Sequence, residues 1–215
     1  MRETKPGHYS LSSNYQPGER SIIINLFLIK FQVSDFAGRF LLILKAIHHM
    51  KYTVQDGFPY YIELTGEKDY RQLFLSQENL DLLQSITEEK SAFRYAPGKW
   101  SIKQIIGHIT DHERIMLYRA LRFSRNDKTS LPGYDQDVLV NGSRFDELPV
   151  AQLVEDLRNV RNASVSFIGS LSGEQLQRTG IAWKYELTVE EFLKATIGHE
   201  LHHIAVLKDK YGIPG

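Results

Sequence analysis

The sequence predicts an all-α protein, a four-helix bundle with a long loop between its second and third helices. Three observations carry this expectation. Apolar residues recur at helical spacing in four stretches, and caps mark most of their ends. Strand-like alternation is scarce, with Tyr60–Leu64 and Ile181–Tyr185 as the candidates. One polar connection, NDKTSLPGYDQDVLVNGSRFDEL at 126–148, is far longer than helix connections usually are, so it reads as a crossover or a functional loop.

Residues 1–21 are polar and turn-rich, with Pro6, Gly7, Pro17 and Gly18, and read as a flexible tail. Residues 22–49 are apolar without clean periodicity. The chain changes character at Met50, so it divides into an N-terminal extension, 1–49, and a bundle domain, 50–215. The extension has two readings. Either Met50 is the natural start, with 1–49 added upstream, or 1–49 supplies an extra helix or strand packed on the domain. N-terminal sequencing of the native protein separates them. The first helix is expected over about Asp69–Glu89, with Leu73, Leu80, Leu83 and Ile86 as its stripe. The second starts at Ser101, with Gln104 as capping-box partner, and runs to about Arg125. The third opens on Pro149 and runs to about Leu171, and Ser172 with Gln175 mark a short helical turn after it. The fourth begins at Thr188 with Glu191 as box partner. It ends at Tyr211, before Gly212 and Pro214.

Composition narrows the function. Lys+Arg and Asp+Glu both number 26, so the formal charge is zero, and nothing in it favours nucleic acid or an anionic membrane surface. Apolar residues make up 42%, the level of a globular chain. Lys30, Asp35, Arg39 and Lys45 interrupt the apolar stretch 22–47. That leaves no run of about 18 uncharged apolar residues, so a membrane span is not expected. The same stretch could serve a homodimer interface. The chain has no cysteine, which fits a cytoplasmic protein. Any transition-metal site must then be built from histidine and carboxylates.

Such residues are at hand. His199 and His203 lie one turn apart in GHELHHIAVLKDKYG and share a stripe with Phe192, Thr196 and Val206, so they face the interior. Two buried imidazoles need partners or each costs about 1–3 kcal/mol. Metal ligation satisfies one nitrogen on each, and the plain alternative is a pair of structural or exposed histidines. His202 is off the stripe and is expected to be exposed. On the second helix, GHITDHE offers His108 and His112, and spacing alone does not choose between them. Gly107 and Gly198 each precede a histidine. Glycine costs about 1 kcal/mol in a helix, so the two suggest close packing at one level of the bundle, which favours His108. His199-Glu200-Leu201-His202-His203 also satisfies the HExxH pattern of zinc peptidases, with Glu200 as general base. Such an enzyme would want strands along its substrate cleft, and this chain has few.

Several pieces together resemble the DinB superfamily, in particular its YfiT-like branch. They are Tyr95-Ala96-Pro97-Gly98-Lys99-Trp100-Ser101-Ile102, then Ile105-Ile106-Gly107-His108-Ile109 with Asp111 and Glu113-Arg114, then LPGYDQD at 131–137, and Gly198-His199-Glu200-Leu201-His202-His203. The likeness runs from about residue 70 to residue 211. It implies a four-helix bundle in which His108, His199 and His203 hold one divalent metal ion. It also implies a metal-dependent enzyme: a transferase or isomerase using a low-molecular-weight thiol such as bacillithiol or mycothiol, or a hydrolase. Two departures stand out. His112 occupies a position where the family often has a small residue, and residues 1–49 have no counterpart.

Three neutral histidines would leave a position open on zinc, nickel or iron, as catalytic sites do. Water there would have a pKa near about 7, or a thiol would be held as thiolate. A borrowed thiol suits a chain without cysteine. Tyr134, Asp135 and Asp137 on the long loop are expected to line the mouth. The rival class is a non-catalytic bundle that uses the metal for stability.

Overall fold

The computed structural model describes residues 50–214. The two readings of the N-terminal extension, and the dimer role of 22–47, fall outside the described residues. Nine helices and one hairpin make up the described part. Three helices are long: α5 (Ile102–Ser124), α7 (Val150–Gly169) and α9 (Val189–Tyr211). The shorter ones are α1 (Phe58–Thr65), α2 (Tyr70–Leu75), α3 (Glu78–Gln84), α4 (Glu88–Ser91), α6 (Gln136–Asn141) and α8 (Gly173–Gln177). Strands β1 (Thr179–Ala182) and β2 (Tyr185–Thr188) pair antiparallel, with Ala182 opposite Tyr185.

The long helices start where their caps place them. Ser101 Oγ accepts from the Gln104 N–H at 3.0 Å, and the Gln104 side chain accepts from the Ser101 N–H at 3.0 Å. Thr188 and Glu191 repeat this arrangement at the head of α9, whose other end stops at Gly212 with φ +65°. Pro149 is the cap of α7, and Glu88 on α4 accepts the orphan Val150 N–H at 2.8 Å.

Three expectations are corrected. The stretch 69–89 is not one helix but α2, α3 and α4, although Leu80, Leu83 and Ile86 are buried as the stripe required. Ser76 is extended, and Thr87 turns its hydroxyl to the Lys90 N–H, so short polar side chains compete with the helical ladder and break it. Tyr60–Leu64 is helical within α1. Its β-favouring residues have no partner strand and pack instead on α9, the kind of context that overrides strand propensity. The 181–185 strand is in fact the tip of the hairpin, with the turn at Trp183-Lys184.

The core has two apolar clusters. One gathers Ile102, Ile106, Val154, Leu157 and Leu207, the other Met116, Phe123, Ile168, Phe192 and Leu193. Helices α5 and α7 both begin in the first and end in the second, so they run parallel, as a crossover loop demands. Helix α9 runs the opposite way. The loop at 126–148 is organised rather than slack. It carries α6 and a 3-10 turn at Phe145–Glu147, and Leu131 is bonded to the hairpin through its N–H to the Ile181 carbonyl at 2.9 Å.

Helix α1 lies hard against α9. A methyl group at Gly198 would sit 1.9 Å from the Tyr61 carbonyl oxygen. Helix propensity alone makes alanine better than glycine by about 1 kcal/mol. Gly198→Ala is nonetheless expected to destabilise the protein by about 2 kcal/mol, because backbone must give way. The denaturant midpoint measures this, and an upward shift would show the contact to be slack.

Candidate metal centre

Between the two apolar clusters runs a belt of buried polar residues. Helix α5 supplies His108, His112 and Glu113, helix α7 supplies Arg161 and Ser164, and helix α9 supplies Thr196, His199 and Glu200. His203 is half-buried beside them. Each His-Glu pair splits, since neighbouring helical residues point about 100° apart. The histidines gather on one side of the belt and the carboxylates on the other.

On the histidine side, His199 Nε2 lies 2.9 Å from His108 Nε2 and 3.1 Å from His203 Nε2. One nitrogen from each of the three residues falls within 4.8 Å of the other two. A neutral imidazole nitrogen has one proton or one lone pair, so His199 Nε2 cannot satisfy two other ring nitrogens at once. Hydrogen bonding among themselves therefore does not explain the convergence, whereas a shared cation would. Burial pushes His108 down to about 4 and pushes His199 and His203 well below the usual histidine range, with the neighbouring rings adding to the effect. The rings are then neutral near pH 7, as ligation requires.

The surroundings are specific. Trp100 covers the cluster, its ring 4.7 Å from His108 and stacked near His203 at 6.5 Å. His112 stacks on His199 with centroids 3.7 Å apart, and its Nδ1 lies 2.5 Å from the Tyr134 hydroxyl. Its Nε2 is buried and without a partner among the described residues. His112 stands outside the set of three, as a neighbour of it. His202, expected to be exposed, is half-buried, with its Nδ1 3.1 Å from the Tyr60 hydroxyl. The paired glycines act separately. Gly198 meets Tyr61, while a methyl at Gly107 would fall 2.5 Å from the Phe145 ring of the long loop.

His199 and His112 form part of the wall of a cavity of about 810 Å³. Tyr134, Asp135 and Asp137 line it as the loop position suggested. The volume suits a small-molecule site.

The carboxylate side of the belt answers the peptidase question. Arg161 donates to both oxygens of Glu113, and its Nη2 also donates to Glu200. Asn79 donates to the other Glu200 oxygen at 2.6 Å, and Ser164 to Glu113 at 2.5 Å. Burial works against the charge on Arg161, but the two carboxylates hold its pKa above the ordinary arginine value. Glu200 is thus tied to a guanidinium and an amide and is not a free general base, which removes the HExxH reading. Arg161 belongs to no motif that the sequence displays. Its signal was a charge on the α7 stripe Leu157, Arg161, Ser164, Ile168.

Residues 75–207, which include all three converging histidines, match the DinB superfamily. The chain belongs to the DinB superfamily. This DinB chain is 26% identical, over 130 residues, to a candidate metal-dependent hydrolase of Oceanobacillus iheyensis, a match covering 60% of the chain and 74% of that protein. It also superposes on YfiT of Bacillus subtilis, a candidate metal-dependent hydrolase with an unusual four-helix bundle topology. The TM-score there is 0.55 at 16% identity, over 74% of this chain and 89% of YfiT. The DinB-like YjoA of the same organism gives a TM-score of 0.46 at 18% identity, over 66% of this chain and 90% of YjoA. The family match and the YfiT superposition make the all-α DinB bundle expected from the sequence the fold found. No helix among the described residues of the DinB chain is long and apolar enough to cross a membrane.

Proposed function

We propose that this DinB-superfamily protein is a metal-dependent enzyme in which His108, His199 and His203 hold one divalent ion beside the cavity. The observation that carries the reading is the convergence of three neutral Nε2 atoms that cannot satisfy one another. Zinc, nickel and iron all suit such ligands. When bound, the ion would supply Lewis acidity, lowering the pKa of a water or small thiol so that it attacks an electrophile near pH 7.

The chain's own residues do the rest. Trp100 shields the histidines on its side, and the cavity leaves the other side open, which favours catalysis over a purely structural ion. The Tyr134 hydroxyl and His112 Nδ1 hold a proton between them at the cavity wall and can relay it to or from a reactant. Two nucleophiles compete. The name carried by the Oceanobacillus relative favours water. The absence of cysteine, together with a cavity roomy enough for two reactants, favours a borrowed low-molecular-weight thiol.

The test is a two-armed screen of the metal-loaded protein, with activated esters and amides in one arm and small thiols with a model electrophile in the other. Turnover in either arm is expected to vanish with EDTA and return with the ion. Metal tightly bound with no turnover in either arm would favour the non-catalytic reading.

A further inference from the structure

One wall of the cavity holds a charge without a counter-charge. Arg119, two turns beyond His112 on α5, is only 4% exposed. Among the described residues its guanidinium donates to the Pro132 carbonyl at 2.7 Å and toward the Met116 sulfur at 3.5 Å, and it meets no carboxylate. Arg161, also buried, faces two. A buried ion left without an opposite charge costs several kcal/mol, so such a group is retained at a price unless a ligand completes it. Burial pulls the pKa of Arg119 down, while Tyr134 acts the other way. The Tyr134 ring lies under the guanidinium at 5.5 Å, which orients it without neutralising it. Two carboxylates stand at the same rim, Asp135, whose Oδ1 caps α6, and Asp137, and neither pairs with Arg119.

A second feature of the cavity is aromatic. Phe58, Trp183 and Tyr185 line it. Trp183 sits in the hairpin turn at φ +56°, a left-handed backbone that costs a non-glycine residue about 1 kcal/mol. The residue is nevertheless 59% exposed, with Gly133 of the long loop packed against its ring. The Lys184 ammonium lies 4.4 Å from its ring centroid, and the strained residue still lines the cavity, as residues held for a functional contact do.

We infer that Arg119 is the specificity determinant of this cavity, and that its substrate class is an organic carboxylate whose planar apolar part lies on Trp183 and Tyr185. The inference deepens the functional reading above and rests on it in taking the cavity as the substrate site.

Calorimetric titration with benzoate, and with benzamide as its neutral counterpart, tests it on the metal-loaded and the metal-stripped protein. Benzoate is expected to bind at least about tenfold tighter than benzamide, and Arg119→Gln to bring the two within about twofold. Arg119→Lys should keep part of the preference, and Trp183→Gly should weaken both ligands alike. Equal affinities in the wild type overturn the inference, as does failure of both ligands to bind at millimolar concentration. A preference that survives intact in Arg119→Gln also overturns it, since the carboxylate would then be meeting the ion. If Arg119→Gln does not fold, the wild-type comparison and Arg119→Lys still decide. A preference for benzoate in protein that takes up no metal would keep the assignment of Arg119 and remove the metal reading.

Discussion

Replacing His199 with alanine is expected to abolish retention of the divalent ion. Elemental analysis of purified protein should fall from about one ion per chain to background, because even supporting residues of such sites typically cost 10–100-fold in affinity and a ligand costs more. His199 is the sharpest choice, since its Nε2 lies within 3.1 Å of both partner nitrogens. His108→Ala and His203→Ala should behave alike. His112→Ala is the contrast. Its ring stacks on His199 but stands outside the set of three, so metal content should persist while turnover drops. Loss of the ion also removes its contribution to stability, about 2.7 kcal/mol at a hundredfold excess over Kd. EDTA on the wild type should therefore lower the melting temperature toward that of His199→Ala. A His199→Ala protein with its full complement of metal would refute the site.

The second large effect lies in the same buried polar belt but has a different cause. Arg161→Leu is expected to destabilise the fold by about 3–5 kcal/mol, because it strands two carboxylates in the core. For a domain of this size that corresponds to about 6–20 °C in Tm. The side chains of Arg161, Glu113 and Glu200 are only 2–3% exposed, so water cannot replace the lost partner. The triple variant Arg161→Leu, Glu113→Gln, Glu200→Gln should recover much of the loss, since it removes the stranded charge along with its partner. Denaturant unfolding of the single and triple variants separates charge stranding from lost packing. A single variant within about 1 kcal/mol of wild type would mean that the carboxylates are already relieved by protonation or water.

Much of this molecule is legible from local chemistry. Ser101 with Gln104, Thr188 with Glu191, Pro149 and Gly212 mark the ends of the three long helices, because capping depends on residues three or four apart. The pairing of His199 with His203 follows from the helical period, and the DinB resemblance pointed to His108. The stretch 69–89 misled because its apolar stripe was real while its path was not. Ser76 and Thr87 redirect the chain and leave Leu80, Leu83 and Ile86 buried, while Leu73 is only half-buried beside the buried Phe74.

What the sequence determined by itself was the three long helices with their caps, the histidine-bearing faces and the lack of any thiolate. Tertiary structure alone decided the rest. It brought three Nε2 atoms from two antiparallel helices together, and it turned Glu200 away to Arg161. It placed His112 against Tyr134 and left Arg119 uncompensated at a cavity wall. The physical reason is range. Caps and stripes are set by neighbours along the chain, whereas a converging site depends on how far each helix slides and rotates against the others. Here Gly198 lets α1 close on α9 and Gly107 lets Phe145 of the long loop close on α5, contacts that can be read only once the elements are packed.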